Sequence, residues 1–173
     1  MIDVTSNPSD AVEMALNLFG EDILRLAFSY LKRREDAEDI VQETLIRLMQ
    51  SEGKFENEEQ MKSWLLRVAA NLCRDLLKSA ERKRTAALPE GFDAVAEETP
   101  PPEGGNEVLE AVLALPEKYR SVIHLYYYEE YATKEIAEIL GKKEVTVRSL
   151  LKRGREKLTV ILSNTRKGDG GNA

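Results

Sequence analysis

The sequence predicts an all-α protein built as two small helical domains joined by a flexible, Pro-rich acidic linker. Two observations carry that expectation. The apolar fraction is 42% and the charged fraction 32%, in a chain rich in Leu, Ala, Glu, Lys and Arg, a mixture that favours solvated helices around a real core. The helical pattern then breaks once, at "TAALPEGFDAVAEETPPPEGGNE", residues 85–107, which holds four prolines and three glycines and has no Lys or Arg; such a stretch reads as a linker rather than a packed element. A chain of 173 residues accommodates one ordinary domain or two small ones.

The expected order is an N-terminal domain over 1–84, a linker over 85–106, a C-terminal domain over 107–163 and a disordered tail over 164–173. Helices are predicted near 9–19, 21–33, 36–50 and 58–83 before the linker, and near 107–115, 117–129, 133–140 and 144–163 after it. No strand-like alternation of useful length is present, and no internal repeat.

The net charge of −6 hides a segregation of sign. Residues 1–60 carry −8, residues 61–84 carry +5, residues 85–116 carry −7 and residues 117–173 carry +4. A single basic run is most often a solvated face. Two of them on regular helical stripes, separated by acidic spacers, suggest two anion-facing surfaces.

The first lies in "WLLRVAANLCRDLLKSAERKR", residues 64–84. At 100° per residue Leu65, Val68, Ala69, Leu72 and Leu76 share the face expected to be buried. Arg67, Asn71, Arg74, Lys78 and Arg82 share the opposite face, in a stripe about 22 Å long at 1.5 Å rise per residue. Lys and Arg neutralise phosphate, and an Asn among them can pair in bidentate fashion with a base edge. Trp64 could stack on an unpaired base, although beside Phe55 and Leu65 it fits a core better. Cys73 lies towards the apolar side, as a packing residue.

In "EDAEDIVQETLIRLMQ", residues 35–50, the expected buried stripe is Ala37, Val41, Leu45 and Leu48. Asp39, Gln42, Glu43, Ile46 and Gln50 line the other side, a face that suits solvent or a protein partner with basic side chains. Spacing alone does not choose between them. No His accompanies these acids as a metal-ligand set would require.

The second basic surface lies in "ATKEIAEILGKKEVTVRSLLKRGREKL", residues 132–158. Thr133 can cap a short helix carrying Glu135 in its first turn, Gly141 supplies the left-handed residue that ends it, and a new helix starts near Glu144. Val147, Leu151, Gly154 and Leu158 form the packing stripe of that helix, with Leu150 at its edge. Ser149, Lys152 and Glu156 centre its outward face, flanked by Arg148 and Arg153. Residues 142–167 hold a local charge of +7. A short helix, a tight turn and a second helix with base-capable, cationic residues outward make a helix-turn-helix suited to the major groove.

Taken in order, these segments resemble the extracytoplasmic-function group of bacterial RNA polymerase sigma factors, from about residue 10 to residue 162. "DAEDIVQETLIRL" is similar to the family segment that binds the clamp helices of the polymerase largest subunit. "WLLRVAANLCRDLLK" is similar to the segment that melts and reads the minus-ten element, and "LPEKYRSVIHLYYYEEYATKEIAEILG…VTVRSLLKRGREKL" to the domain that reads the minus-thirty-five element. The resemblance implies polymerase-facing roles for Asp39, Gln42, Glu43 and Ile46. It implies minus-ten contacts for Arg67, Asn71 and Arg74, continued by Lys78 and Arg82, with Asn71 the candidate to touch a base turned out of the stack. Major-groove roles fall to Arg148, Ser149, Lys152, Arg153 and Arg155. The chain departs from the family pattern at Lys143, where a Ser-like cap is common, at Leu150, where Arg is common, and at Gly154, where Ala is common.

The implied mechanism is non-enzymatic: one domain docks on core polymerase and holds melted minus-ten DNA, while the other anchors on upstream duplex. The 23-residue stretch reaches at most roughly 75 Å, enough for elements one and a half duplex turns apart, roughly 50–55 Å. A sequestering anti-sigma protein is a further partner the resemblance implies, and no cofactor is expected. A stand-alone helix-turn-helix regulator with an N-terminal dimerisation or sensing domain is the alternative; the Asn-bearing basic stripe in the first domain argues against it. The chain has one cysteine, which excludes an intramolecular disulfide and a Cys-based zinc site. Its one histidine, His124, lies in the aromatic stretch "YRSVIHLYYYEEY" and reads, like Tyr126, Tyr127 and Tyr128, as packing. There is no Gly-rich phosphate loop. Without a signal-like N-terminus or an apolar run near the ~20 residues that span a bilayer, the expected compartment is the cytoplasm.

Overall fold

The computed structural model describes residues 1–87 and 107–169, which form two compact, almost wholly helical units. Most of the expected linker, 88–106, and residues 170–173 lie outside the described residues.

Three helices make the first unit: α1 (Pro8–Leu31), α2 (Arg34–Gln50) and α3 (Glu58–Ala87), each packed on the other two. The Asn7 side chain accepts the Asp10 N–H at the start of α1, Pro8 occupies the first turn, and Lys32 ends the helix in the left-handed conformation (φ 58°) with its N–H on the Phe28 carbonyl. The sequence predicted two helices here, 9–19 and 21–33. One continuous helix forms because Gly20 is buried beneath Leu16 and only weakens a helix, by about 1 kcal/mol relative to Ala, while flanking Phe19 and Ile23 hold it in the core.

The buried residues of α2 are Ala37, Ile40, Thr44 and Leu48, so the stripe is turned by about a residue from the expected one, and Val41 and Leu45 are half-buried. A polar residue can face the core there because the Thr44 hydroxyl donates to the Ile40 carbonyl at 2.7 Å. Glu35 and Asp36 in the first turn and Arg47 in the last complement the helix dipole.

Asn57 accepts the Gln60 N–H (2.9 Å) at the start of α3, and the Gln60 side chain accepts from the Glu56 N–H (2.6 Å). Met61, Leu65, Leu66, Ala69, Ala70 and Cys73 are the buried face of α3. Val68 and Leu72, expected in the core, are half-buried, and Leu76 is exposed. From Lys78 to Thr85 every side chain is exposed, so this part of α3 has left its supporting helices. A two-residue antiparallel ladder, β1 (Ile2–Asp3) with β2 (Lys54–Phe55), closes the unit beside the start of α3. It is too short to leave a period in the sequence.

The second unit comprises α4 (Glu107–Leu113), α5 (Glu117–Ile123), a π-helical turn (His124–Tyr128), α6 (Thr133–Leu140) and α7 (Glu144–Asp169). Its core gathers Leu115, Val122, Ile123, Leu125, Ile136, Ile139, Leu140 and Val147. Buried Arg120 donates to the Leu113 and Leu115 carbonyls, each at 3.2 Å, and so satisfies the end of α4. The expected helix over 117–129 widens at His124, where the Glu129 N–H bonds the His124 carbonyl at 3.3 Å, and the chain then turns through Glu130 at φ 57°. The extra residue per turn lets His124 and Leu125 point inward while Tyr127 and Tyr128 remain exposed.

Gly141 ends α6 at φ 64°, with the Lys142 N–H on the Ala137 carbonyl at 3.0 Å, as the turn signal predicted. The cap of α6 differs from the expected Thr133. Ala132 holds that place, the Glu135 side chain accepts its N–H at 2.9 Å, and the Thr133 hydroxyl instead donates to Glu144 at 3.1 Å. The last helix also runs further than expected: α7 continues through Asp169, into the segment 164–173 predicted as a disordered tail.

Candidate nucleic-acid and polymerase interfaces

In the first unit the α3 ridge is intact. Arg67, Asn71, Lys78 and Arg82 are exposed and Arg74 half-buried, all on the side away from Leu65, Ala69 and Cys73. The Arg74 guanidinium donates to the Asn71 side-chain oxygen, which leaves the Asn71 amide group to face outward as a donor. Arg67, Lys78 and Arg82 form no ion pair among the described residues. Trp64 is half-buried, edge to face with Phe55 at 5.8 Å, and Cys73 is fully buried.

On α2, Asp39, Gln42 and Gln50 are exposed, and half-buried Glu43 pairs with Arg47 at 3.4 Å. Ile46 is 41% exposed and Met49 48%. Met49 was missed in the sequence because it lies off the acidic stripe; with Ile46 it gives this face an apolar centre rimmed by acids and amides.

In the second unit Ser149, Lys152 and Arg153 are exposed on α7 and make no hydrogen bond or ion pair among the described residues. Arg148 is also exposed, but its guanidinium donates to Glu144 at 2.8 Å, and Glu144 accepts from Thr133 as well. That chain ties the first turns of α6 and α7 and fixes where Arg148 begins. Val147, Leu151 and Gly154 are the buried stripe, with Leu150 and Leu158 half-buried at its edges. A Cβ at Gly154 would lie 3.2 Å from Ile123 Cγ1 and 3.4 Å from Tyr119 Cβ. The glycine therefore lets α5 and α7 approach closely, which accounts for the departure from Ala at that position.

Arg155 is placed differently from the other cations. Its Nε donates to the Tyr127 hydroxyl at 2.6 Å, and its guanidinium carbon lies 5.2 Å from the Tyr126 ring centroid and 5.5 Å from that of Tyr127. The Tyr127 hydroxyl holds the guanidinium above its already high ordinary pKa. No spacing in the sequence pointed to this contact, because the two residues come from different elements and the tyrosines read as packing.

His124 is buried, stacked on Tyr128 at 5.4 Å with Nε2 3.5 Å from Glu129. Among the described residues no cluster of His, Cys, Asp and Glu could hold a metal ion, and no helix is long and apolar enough to cross a membrane.

Comparison with known proteins follows the same division. Residues 17–83 match the family described as sigma-70 region 2, and residues 105–158 match sigma-70, region 4. The chain is 36% identical over 148 residues to the ECF RNA polymerase sigma factor SigE of Mycolicibacterium smegmatis, across 82% of this chain and 57% of that protein. It is 31% identical to the RNA polymerase sigma factor SigV of Bacillus subtilis, across 83% of this chain and 86% of that one. Among solved structures, the sigma factor RpoE of Bartonella quintana, crystallised with the anti-sigma factor NepR, shares the fold with a TM-score of 0.72 at 23% identity, over 87% of this chain and 96% of that one. With region 2 and region 4 matched in order on either side of a composition break, this chain belongs to the extracytoplasmic-function RNA polymerase sigma factors.

Proposed function

We propose that this sigma factor directs transcription initiation through three surfaces on its two units. Asp39, Gln42, Glu43 and Ile46 on α2, with Met49 beside them, receive a basic and apolar face of core RNA polymerase. Arg67, Asn71, Arg74, Lys78 and Arg82 on α3 hold the melted minus-ten strand, the cations on phosphates and the Asn71 amide on a base edge. Arg148, Ser149, Lys152, Arg153 and Arg155 on α7 engage the upstream minus-thirty-five duplex, Ser149 and Lys152 nearest the bases.

The observation that carries this reading is the pair of exposed cationic ridges on α3 and α7, in separate units of a chain whose total charge is −6. Two ridges on two units suit two DNA elements read together, and the acidic remainder disfavours DNA binding until polymerase supplies further cationic surface. The compartment is then the cytoplasm, where polymerase works. An anti-sigma protein that covers these surfaces is the expected control, as a protein of similar fold was crystallised with one.

Run-off transcription with core polymerase on fragmented genomic DNA, followed by sequencing of the products, tests the proposal. Discrete start sites sharing upstream elements are expected; transcription no more selective than that of core enzyme alone would refute it.

A further inference from the structure

We infer that Tyr127 is a positioning residue for DNA binding: with Tyr126 it holds Arg155 as a preset grip for a phosphodiester of the upstream duplex. The inference rests on the proposed role of α7 in that duplex and adds a residue from outside the helix-turn-helix.

The geometry has three parts. The Tyr126 and Tyr127 rings meet edge to face, with centroids 4.9 Å apart and planes at 76°. The Arg155 guanidinium lies against both rings and gives one donor, Nε–H, to the Tyr127 hydroxyl. Tyr126 is a second side-chain hydrogen-bond partner of the guanidinium, which makes no ion pair among the described residues. Five donors in a rigid fork, only part of it engaged by the two tyrosines, leave enough to match a phosphate in bidentate fashion. The Tyr127 hydroxyl accepts from Arg155 and keeps its own O–H to donate, and Tyr127 is 51% exposed. A hydroxyl and a guanidinium edge side by side make an anion cradle on the surface.

Placement favours DNA as the source of that anion. At 100° per residue Arg148, Lys152 and Arg155 occupy one flank of α7 within about 60° of arc and about 10 Å of rise. Arg148 is pre-set by Glu144 and Arg155 by Tyr127, so the two ends of the flank are fixed and Lys152 between them is unconstrained. A guanidinium already ordered loses less side-chain entropy on gripping phosphate than an unheld one. The clasp also fastens the π-helical turn to α7, and a purely structural role would end there.

Holoenzyme assembled from core polymerase and the full chain separates the two. Its equilibrium binding to a promoter recovered by run-off transcription is measured across a salt series for the wild type, R155A, R155K, Y127F, Y127F/R155A and R153A, with thermal melting of each free chain alongside. The clasp predicts that Y127F, which keeps the ring, weakens binding about threefold, the low end of the range for an ordinary hydrogen bond, with melting lowered by no more than a few degrees. R155K loses the fork and weakens binding to a similar extent, R155A weakens it more, and Y127F/R155A is no weaker than R155A. If Y127F binds like the wild type while R155A and R153A are weakened, or if the two losses multiply in the double variant, the positioning role is wrong though α7 still holds DNA. If R155A and R153A also bind like the wild type, the assignment of α7 to the duplex falls with it.

Discussion

The two cationic helices are supported in opposite ways. Along α3 the ridge begins over a buried core of Leu65, Ala69 and Cys73 and ends on a stretch, Lys78 to Thr85, in which every side chain is exposed. Its cations are unpaired at Arg67, Lys78 and Arg82, and its one internal bond, from Arg74 to Asn71, presents an amide. Along α7 the ridge sits on close helix packing at Gly154 and is pinned at Arg148 and Arg155. The difference fits the proposed targets. A melted strand is compliant, and a projecting helix with unpaired cations can follow it; a duplex groove is rigid, and rewards side chains fixed beforehand.

The largest expected effect is on the footing of α3. Leu65 is fully buried, and Leu65→Ala should destabilise the first unit by about 2–5 kcal/mol through lost burial and a cavity, seen in urea unfolding followed by circular dichroism. Gly154→Leu should destabilise the second unit by about 1–3 kcal/mol, since the new side chain meets Ile123 and Tyr119. If it is neutral, the close packing does not support the α7 ridge and the contrast between the helices weakens.

Smaller effects probe the ridges themselves. Asn71→Ala should lower transcription from the factor's own promoters about tenfold, within the worth of one base contact, while pull-down of core polymerase stays intact. Loss of polymerase binding would move Asn71 out of its DNA role. Arg153→Ala should cost least at physiological salt and reduce the salt slope of upstream-duplex binding by about 0.9, one phosphate contact. An unchanged slope would put the phosphates elsewhere on the domain.

Much of this was legible in the sequence because helical period and charge act locally. The ridge of α3, the Gly141 turn, the α7 packing stripe and the two-unit division all follow from spacing or composition within one element. What was not legible depended on partners far along the chain or on tertiary override. Gly20 reads as a break, but burial of α1 on both sides carries the helix through it. Thr44 took a core position because its hydroxyl found a carbonyl within its own helix, which turned the stripe of α2 away from Val41 and Leu45. Thr133 reads as a cap, yet its hydroxyl turned to Glu144 on the next helix. The clasp of Arg155 by Tyr127 joins residues 28 apart in sequence, and the π-helical turn that presents Tyr127 has no period of its own.

The dependence of both ridges on polymerase is tested most directly by one titration. A fluorescent duplex carrying a promoter identified by run-off transcription is titrated at about 0.15 M salt, near physiological ionic strength, first with the chain alone and then with the chain bound to core polymerase. The acidic chain alone should bind only weakly, around the 10⁻⁴–10⁻⁶ M of non-specific association, and holoenzyme orders of magnitude more tightly. Nanomolar, promoter-selective binding by the chain alone would contradict the account.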